Sequence, residues 1–192
     1  MGQEKRKGSI GKAKLIAAVI FFLALILAFI FDKKISMFFS AARSPVPDFL
    51  MIAVLIASIY VIAILPSILV FMADRKELIK YWFSLALTLS LIILVKMIVH
   101  RQRPFQALDL TVPASLINAA YSTWDFSFPS NHAALSAVSL PFLNGKFLTV
   151  WIVLAAAIIV ARLYFGLHYL SDVLAGIMIG LTVTFLVRRY IK

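Results

Sequence analysis

The chain has 192 residues, of which 63% are hydrophobic and 14% charged, with a mean hydropathy of +1.01. A soluble domain of this length needs far more polar surface, so the composition excludes that class and predicts one all-α domain that crosses a membrane several times. The net charge of +11 does not point to nucleic acid, because the Lys and Arg residues lie between apolar runs and at the ends, where membrane proteins use them for orientation. Cysteine is absent, which removes disulfides and thiolate metal sites.

In chain order, a basic segment over 1–14 (Lys5, Arg6, Lys7, Lys12, Lys14) precedes a first apolar stretch, Leu15–Phe31. Ser40-Ala41-Ala42 imitates a leader-cleavage site, but Asp32-Lys33-Lys34 interrupts the approach and the apolar run is long, so a membrane segment is expected rather than a removed leader. Phe49–Met72 and Leu78–Val99 follow. The connection over 100–131 carries Pro104, Pro113 and Pro129; a loop this long in a compact bundle is usually functional. The fourth segment, His132–Leu143, has only 12 residues before Asn144-Gly145. As a helix it would reach about 18 Å against a hydrocarbon core of ~30 Å. Its polar start, Ser130-Asn131-His132, is therefore expected in a protein-lined recess below the membrane surface. Phe147–Phe165 and Tyr169–Val187 complete a six-helix bundle in a single domain, 1–192. With both termini cytoplasmic, 12 of the 19 basic residues fall on the inner side and the 100–131 loop faces outward.

Three polar clusters interrupt this pattern. In "KMIVHRQRP", Lys96 and Arg103 are two helical turns apart and would share a helix face, with His100 between them. Taken alone, they read as basic side chains snorkelling to headgroups. In "FPSNHAA", Ser130 or Asn131 makes a good N-cap, and the same geometry turns unpaired N–H groups and the helix dipole toward an anion. In "ARLYFGLHYLSD", His168 and Asp172 stand i, i+4, so that a carboxylate hydrogen-bonded to one imidazole nitrogen would leave the other free to attack. The bland reading is a buried His–Asp pair at a helix start, but Arg162 lies close by in sequence and ionisable groups at membrane depth are costly. Three cations, a helix N-terminus, one histidine and one His–Asp pair together suit a bound phosphate with a nucleophile on one side and an acid on the other.

These three motifs resemble the signature of the type 2 phosphatidic acid phosphatase (PAP2) superfamily, K-x6-RP, PSGH and SR-x5-H-x3-D. Lys96 with Arg103-Pro104 matches the first, Pro129-Ser130-Asn131-His132 the second, and Ala161-Arg162, His168 and Asp172 the third, in order and with the same gaps. Asn131 stands in place of the family's glycine and Ala161 in place of its serine. Asn tolerates left-handed backbone best after glycine, and Ala161 loses no proton carrier.

The resemblance implies that His168 attacks the terminal phosphorus and forms a phosphohistidine. Asp172 orients it, and His132 protonates the leaving oxygen and then activates water. Lys96, Arg103, Ser130, Asn131 and Arg162 hold the phosphate. Phosphoryl transfer needs mostly positioning and charge neutralisation, which three cations supply; no metal or other cofactor is expected, and no acidic cluster offers to hold Mg²⁺. His100 is expected to be a bystander. The i+4 series from His168 through Asp172 continues to Gly176 and Gly180, which predicts close helix packing within the chain.

The implied substrate is a lipid phosphate. "RPF" and "SFPS" resemble the small undecaprenyl pyrophosphate phosphatases of the superfamily, which favours a polyprenyl diphosphate over phosphatidate or phosphatidylglycerophosphate. Membrane lipids are the expected partners, nucleic acid is not, and the oligomeric state stays open. The expected location is the plasma membrane, with the site on the extracytoplasmic side. Vanadium haloperoxidases share the signature but are soluble. A non-catalytic lipid-phosphate binder and a carrier-lipid transporter are the alternatives from other classes.

Overall fold

A computed structural model describes residues 2–113 and 126–191; the remainder of the expected outer loop, 114–125, lies outside the described residues. Those described form helices and connections, with no strand among them. The helices are α1 (Gly2–Ala41), α2 (Pro45–Asp74), α3 (Leu78–Val99), the one-turn α4 (Pro104–Ala107), α5 (Asn131–Ser139), α6 (Gly145–Tyr164) and α7 (Leu170–Tyr190). By length and composition, the run Tyr60–Ala107, which takes in the end of α2 and all of α3 and α4, and the helices Gly145–Tyr164 and Leu170–Tyr190 each hold a stretch apolar enough to cross a membrane. Large apolar side chains such as Ile20, Ile30, Ile64, Ile98, Val153 and Phe185 face outward, the reverse of a soluble surface and the expected dress of a bundle solvated by lipid.

Polar residues choose the inward faces. The buried positions of α3 are Tyr81, Ser84, Thr88, Ile92 and Lys96, a stripe at three- and four-residue spacing that faces α5 and α7 and ends on the lysine. The helix stops three residues later because His100 adopts a left-handed conformation (φ 51°) and its N–H donates to the Lys96 carbonyl. Lys96 and Arg103 therefore do not share a helix face, contrary to the expectation from spacing; Arg103 reaches the interior from the turn before α4.

Two other features depart from the sequence pattern. The α1 helix runs straight through Asp32-Lys33-Lys34 instead of ending there, because Asp32 is buried against polar partners on other segments. The short fourth segment is helical only to Ser139 and closes with a 3₁₀ turn, Leu140–Phe142.

Packing is closest between α5 and α7. A β-carbon added at Gly176 would stand 2.5 Å from the Ser130 carbonyl oxygen and 3.3 Å from the Ala133 β-carbon, and one at Gly180 would strike the Ala134 carbonyl. The glycine pair thus packs within the chain. Gly176→Ala and Gly180→Ala are each expected to destabilise the fold by about 2 kcal/mol through overpacking, read as a drop of several degrees in the thermal midpoint of detergent-purified protein. An apolar cluster that includes Val70, Tyr81, Val138, Phe142, Trp151 and Ile158 fills one half of the bundle. A second, built on Leu55, Phe105, Tyr164, Phe165 and Leu167, fills the other. At the far end of the first half, Glu77 ties Lys80 and Arg188 together.

Candidate active site

The segment between α6 and α7 folds back on the end of α6. Leu167 N–H donates to the Arg162 carbonyl at 2.9 Å and Gly166 N–H to the Leu163 carbonyl at 3.0 Å. Gly166 has φ +62°, and a β-carbon there would press on Leu110 and the Phe105 backbone. This turn delivers His168 into the interior next to Arg103, whose guanidinium donates to the Leu167 carbonyl at 2.6 Å.

The imidazole of His168 is buried between two groups whose chemistry settles its tautomer. The Ser127 carbonyl, 2.8 Å from Nδ1, can only accept, so Nδ1 carries the proton. Arg103 Nη1, 3.4 Å from Nε2, can only donate, so Nε2 keeps its lone pair. Burial first, and then the charges of Arg103, Lys96 and Arg162, hold the His168 pKa well below the usual imidazole range, against the Ser127 carbonyl's pull upward. A neutral imidazole with an unprotonated Nε2 is the form that a phosphorus nucleophile requires, and the 3.4 Å contact with Arg103 is long enough to give way to a phosphate that takes up the arginine N–H.

Asp172 does not hydrogen-bond His168 as the spacing suggests. Its Oδ2 is 3.7 Å from Nδ1, beyond hydrogen-bond reach. The carboxylate is already engaged by Arg101 Nη1 at 2.7 Å, by Tyr169 N–H at 2.7 Å and by the Ser127 hydroxyl. Ser127 thus joins the two residues, its carbonyl on His168 and its hydroxyl on Asp172.

On the other side, Arg162 Nη2 meets Nε2 of His132 and donates to the Ser58 hydroxyl at 3.0 Å. Ser58 donates onward to the Leu55 carbonyl at 2.6 Å. Lys96 Nζ donates to the Phe126 carbonyl, and the charges of Lys96, Arg103 and Arg162 act on both imidazoles. Ser130 is the N-cap of α5 and Asn131 its first residue; the Ser130 N–H donates to the Asp172 carbonyl at 3.0 Å, tying the start of α5 to the first turn of α7. Lys96, Arg103, Ser130, Arg162, His168 and Asp172 are buried, while Asn131 and His132 are half-buried. Those two line a cavity of 290 Å³ with Ser58, Ile62, Trp82, Leu85 and Leu135, between α2, α3 and α5.

Of the eight candidate residues read from the sequence, Asn131 and His132 line this cavity, the charges of Lys96, Arg103 and Arg162 act on both His132 and His168, and Ser130 is tied through its N–H to Asp172. His100 stands apart; it is exposed and packs edge-on against Phe126. Four further residues belong to the surroundings: Arg101, Asp32, Ser127 and Ser58. Among the described residues, no group of three or more His, Cys, Asp or Glu gathers as a metal site.

The model of the PAP2 superfamily matches residues 77–192, which include every one of the eight, and the chain belongs to that superfamily. It is 34% identical over 95 residues to decaprenylphosphoryl-5-phosphoribose phosphatase of Mycobacterium tuberculosis, covering 49% of this chain and 50% of the relative. It is 35% identical over 79 residues to phosphatidylglycerophosphatase B of Bacillus subtilis, covering 34% and 39%. To the undecaprenyl-diphosphatase of Sulfolobus acidocaldarius it is 28% identical over 123 residues, covering 62% and 57%. The chain spans about half the length of the curated relatives it matches. The crystal structure of a transmembrane PAP2-type phosphatidylglycerolphosphate phosphatase from Bacillus subtilis shares the fold, with a TM-score of 0.63 at 24% identity over 91% of this chain and 96% of that one. With its apolar helices and this fold, the chain is an integral membrane protein.

Proposed function

We propose that the protein is a metal-independent lipid phosphatase that removes the terminal phosphate of a polyprenyl diphosphate through a phosphohistidine. The observation that carries this reading is the His168 ring, proton on Nδ1 and lone pair on Nε2, facing Arg103 and within the field of Lys96 and Arg162. The Nε2–P bond forms as the bond to the leaving oxygen breaks, and the three cations neutralise the equatorial oxygens. Arg162 can only donate, so it occupies the Nε2 lone pair of His132. A phosphate oxygen that draws this N–H away frees the Nε2 lone pair of His132 to take a proton from the P–OH of the incoming terminal phosphate. His132 then gives that proton to the leaving monophosphate and takes one from the water that cleaves P–N, restoring neutral His168 and yielding inorganic phosphate.

Lipid is favoured as the rest of the substrate by the cavity beside His132, whose walls beyond Ser58, Asn131 and His132 are apolar. Of the relatives, those named for decaprenylphosphoryl-phosphoribose and undecaprenyl diphosphate support a polyprenyl chain, and phosphatidylglycerophosphatase B supports phosphatidylglycerophosphate as the second reading. The proposal includes six membrane segments in one domain, cytoplasmic termini and a basic inner segment over 1–14. It places the 100–131 loop and the site on the extracytoplasmic face of the plasma membrane.

Detergent-purified protein is expected to release phosphate from C55 isoprenyl diphosphate faster than from phosphatidate or phosphatidylglycerophosphate, with EDTA present, and vanadate should inhibit it. Loss of turnover in EDTA would defeat the metal-independent mechanism. Leaflet exchange of carrier lipid without phosphate release would favour transport instead.

A further inference from the structure

The family match begins at residue 77, yet the catalytic corner has a buried partner well before it. Asp32, on α1, lies against Arg101, with its Oδ2 2.8 Å from Nη2. The same guanidinium donates through Nη1 to Asp172 Oδ1 at 2.7 Å and to the Ser171 hydroxyl at 2.7 Å. Ser171 closes the ring: its N–H donates to Asp32 Oδ1 at 3.0 Å and its hydroxyl to Asp32 Oδ2. The Arg101 guanidinium also lies over the Tyr169 ring at 3.9 Å and the Phe29 ring at 5.2 Å. A planar, five-donor cation held on both edges and over aromatic rings has little freedom to rotate. Arg101 and Arg103, two residues apart, thus face different groups, the first the carboxylates and the second the His168 lone pair.

We infer that Arg101 and Asp32 form a positioning clamp that holds Asp172 at its distance from His168, so that α1 is part of the catalytic apparatus. The inference rests on the assignment of His168 as nucleophile. In the clamp, two carboxylates against one guanidinium leave a single negative charge beside the imidazole. The other charged or titratable groups around His168 are Lys96 and Arg103 from α3 and the turn after it, Arg162 from α6 and His132 from α5. Removing Arg101 doubles the negative charge beside the ring and lets the Asp172 carboxylate turn toward Nδ1. Removing the charge of Asp32 takes that excess away and leaves Arg101 wholly to Asp172. The two changes act on His168 with opposite sign, which loss of packing alone does not produce.

The test measures pH profiles of kcat/KM for the full-length protein in detergent and, in parallel, the titration of His168 by NMR of ¹⁵N-histidine-labelled protein, which has three histidines. Arg101→Gln is expected to move the acidic limb and the His168 midpoint up by about one pH unit. Asp32→Asn, nearly isosteric, is expected to move both down. Each should lower kcat about 10- to 100-fold while KM stays within about threefold. Arg101→Lys keeps the charge and should restore the limb to its wild-type position even where kcat stays low. It also serves where the Gln variant does not fold. Shifts of the same sign in Arg101→Gln and Asp32→Asn, no shift in either, or a Lys variant that behaves as the Gln variant would overturn the clamp. If the wild type releases no phosphate from any lipid, the phosphatase reading falls, and the His168 titration still decides the clamp by itself.

Discussion

Replacing His168 with alanine is expected to lower phosphate release by about 10⁴-fold or more. The expectation follows from the ring's two contacts. One nitrogen is committed to the Ser127 carbonyl and the other faces Arg103, so alanine removes the unprotonated nitrogen that stands beside that arginine. Water attacking directly would lose both the preset distance and the split of one hard displacement into two easier ones. His168→Asn separates chemistry from folding, because its amide N–H can still donate toward the Ser127 carbonyl. Both variants should elute and melt like the wild type yet remain inactive. Normal turnover in either, measured as inorganic phosphate released, would rule out the nucleophile.

His132→Ala is the second large effect, with turnover expected to fall about 10³-fold, the ordinary worth of a positioned acid and base. Its signature differs from that of His168→Ala. The first displacement loses its acid but expels a phosphate monoester, which leaves with little need of protonation, and it keeps its nucleophile and three cations, whereas water now lacks the base that activates it. Phosphoryl groups should therefore accumulate on the protein. Substrate labelled in its terminal phosphate should leave acid-labile, base-stable label on His132→Ala and none on His168→Ala. Label on neither variant, with both inactive, would argue against a covalent intermediate.

The three spaced motifs made most of the candidate site legible, since a cation, a histidine and an aspartate at fixed intervals imply a shared destination. The helices were legible where apolar runs end in polar punctuation, as at Leu78 and Val99. Asp32 escaped because a charge in Asp-Lys-Lys reads as a helix reaching water; only the fold shows its partner lying 69 positions away. Arg101 escaped for a related reason: in a basic run every arginine looks like a headgroup anchor, and pattern does not reveal which one faces a carboxylate. Ser127 acts on His168 through its backbone carbonyl, and a carbonyl has no letter of its own. The two-turn spacing of Lys96 and Arg103 suggested a common helix, whereas the left-handed His100 breaks it between them. Their convergence comes from a turn instead.

The glycine contact between α5 and α7 also acts as a gauge. Most helix pairs in a bundle breathe through the side chains between them, because those can rotate and slide. At Gly176 only main chain and the Ala133 methyl intervene, with the Ser130 carbonyl at the head of α5 standing closest. One helix carries His132 and the other begins two residues after His168, so this contact limits how far the proposed proton donor and the proposed nucleophile can move apart, and their span is expected to change little as the lipid around the bundle thickens or thins.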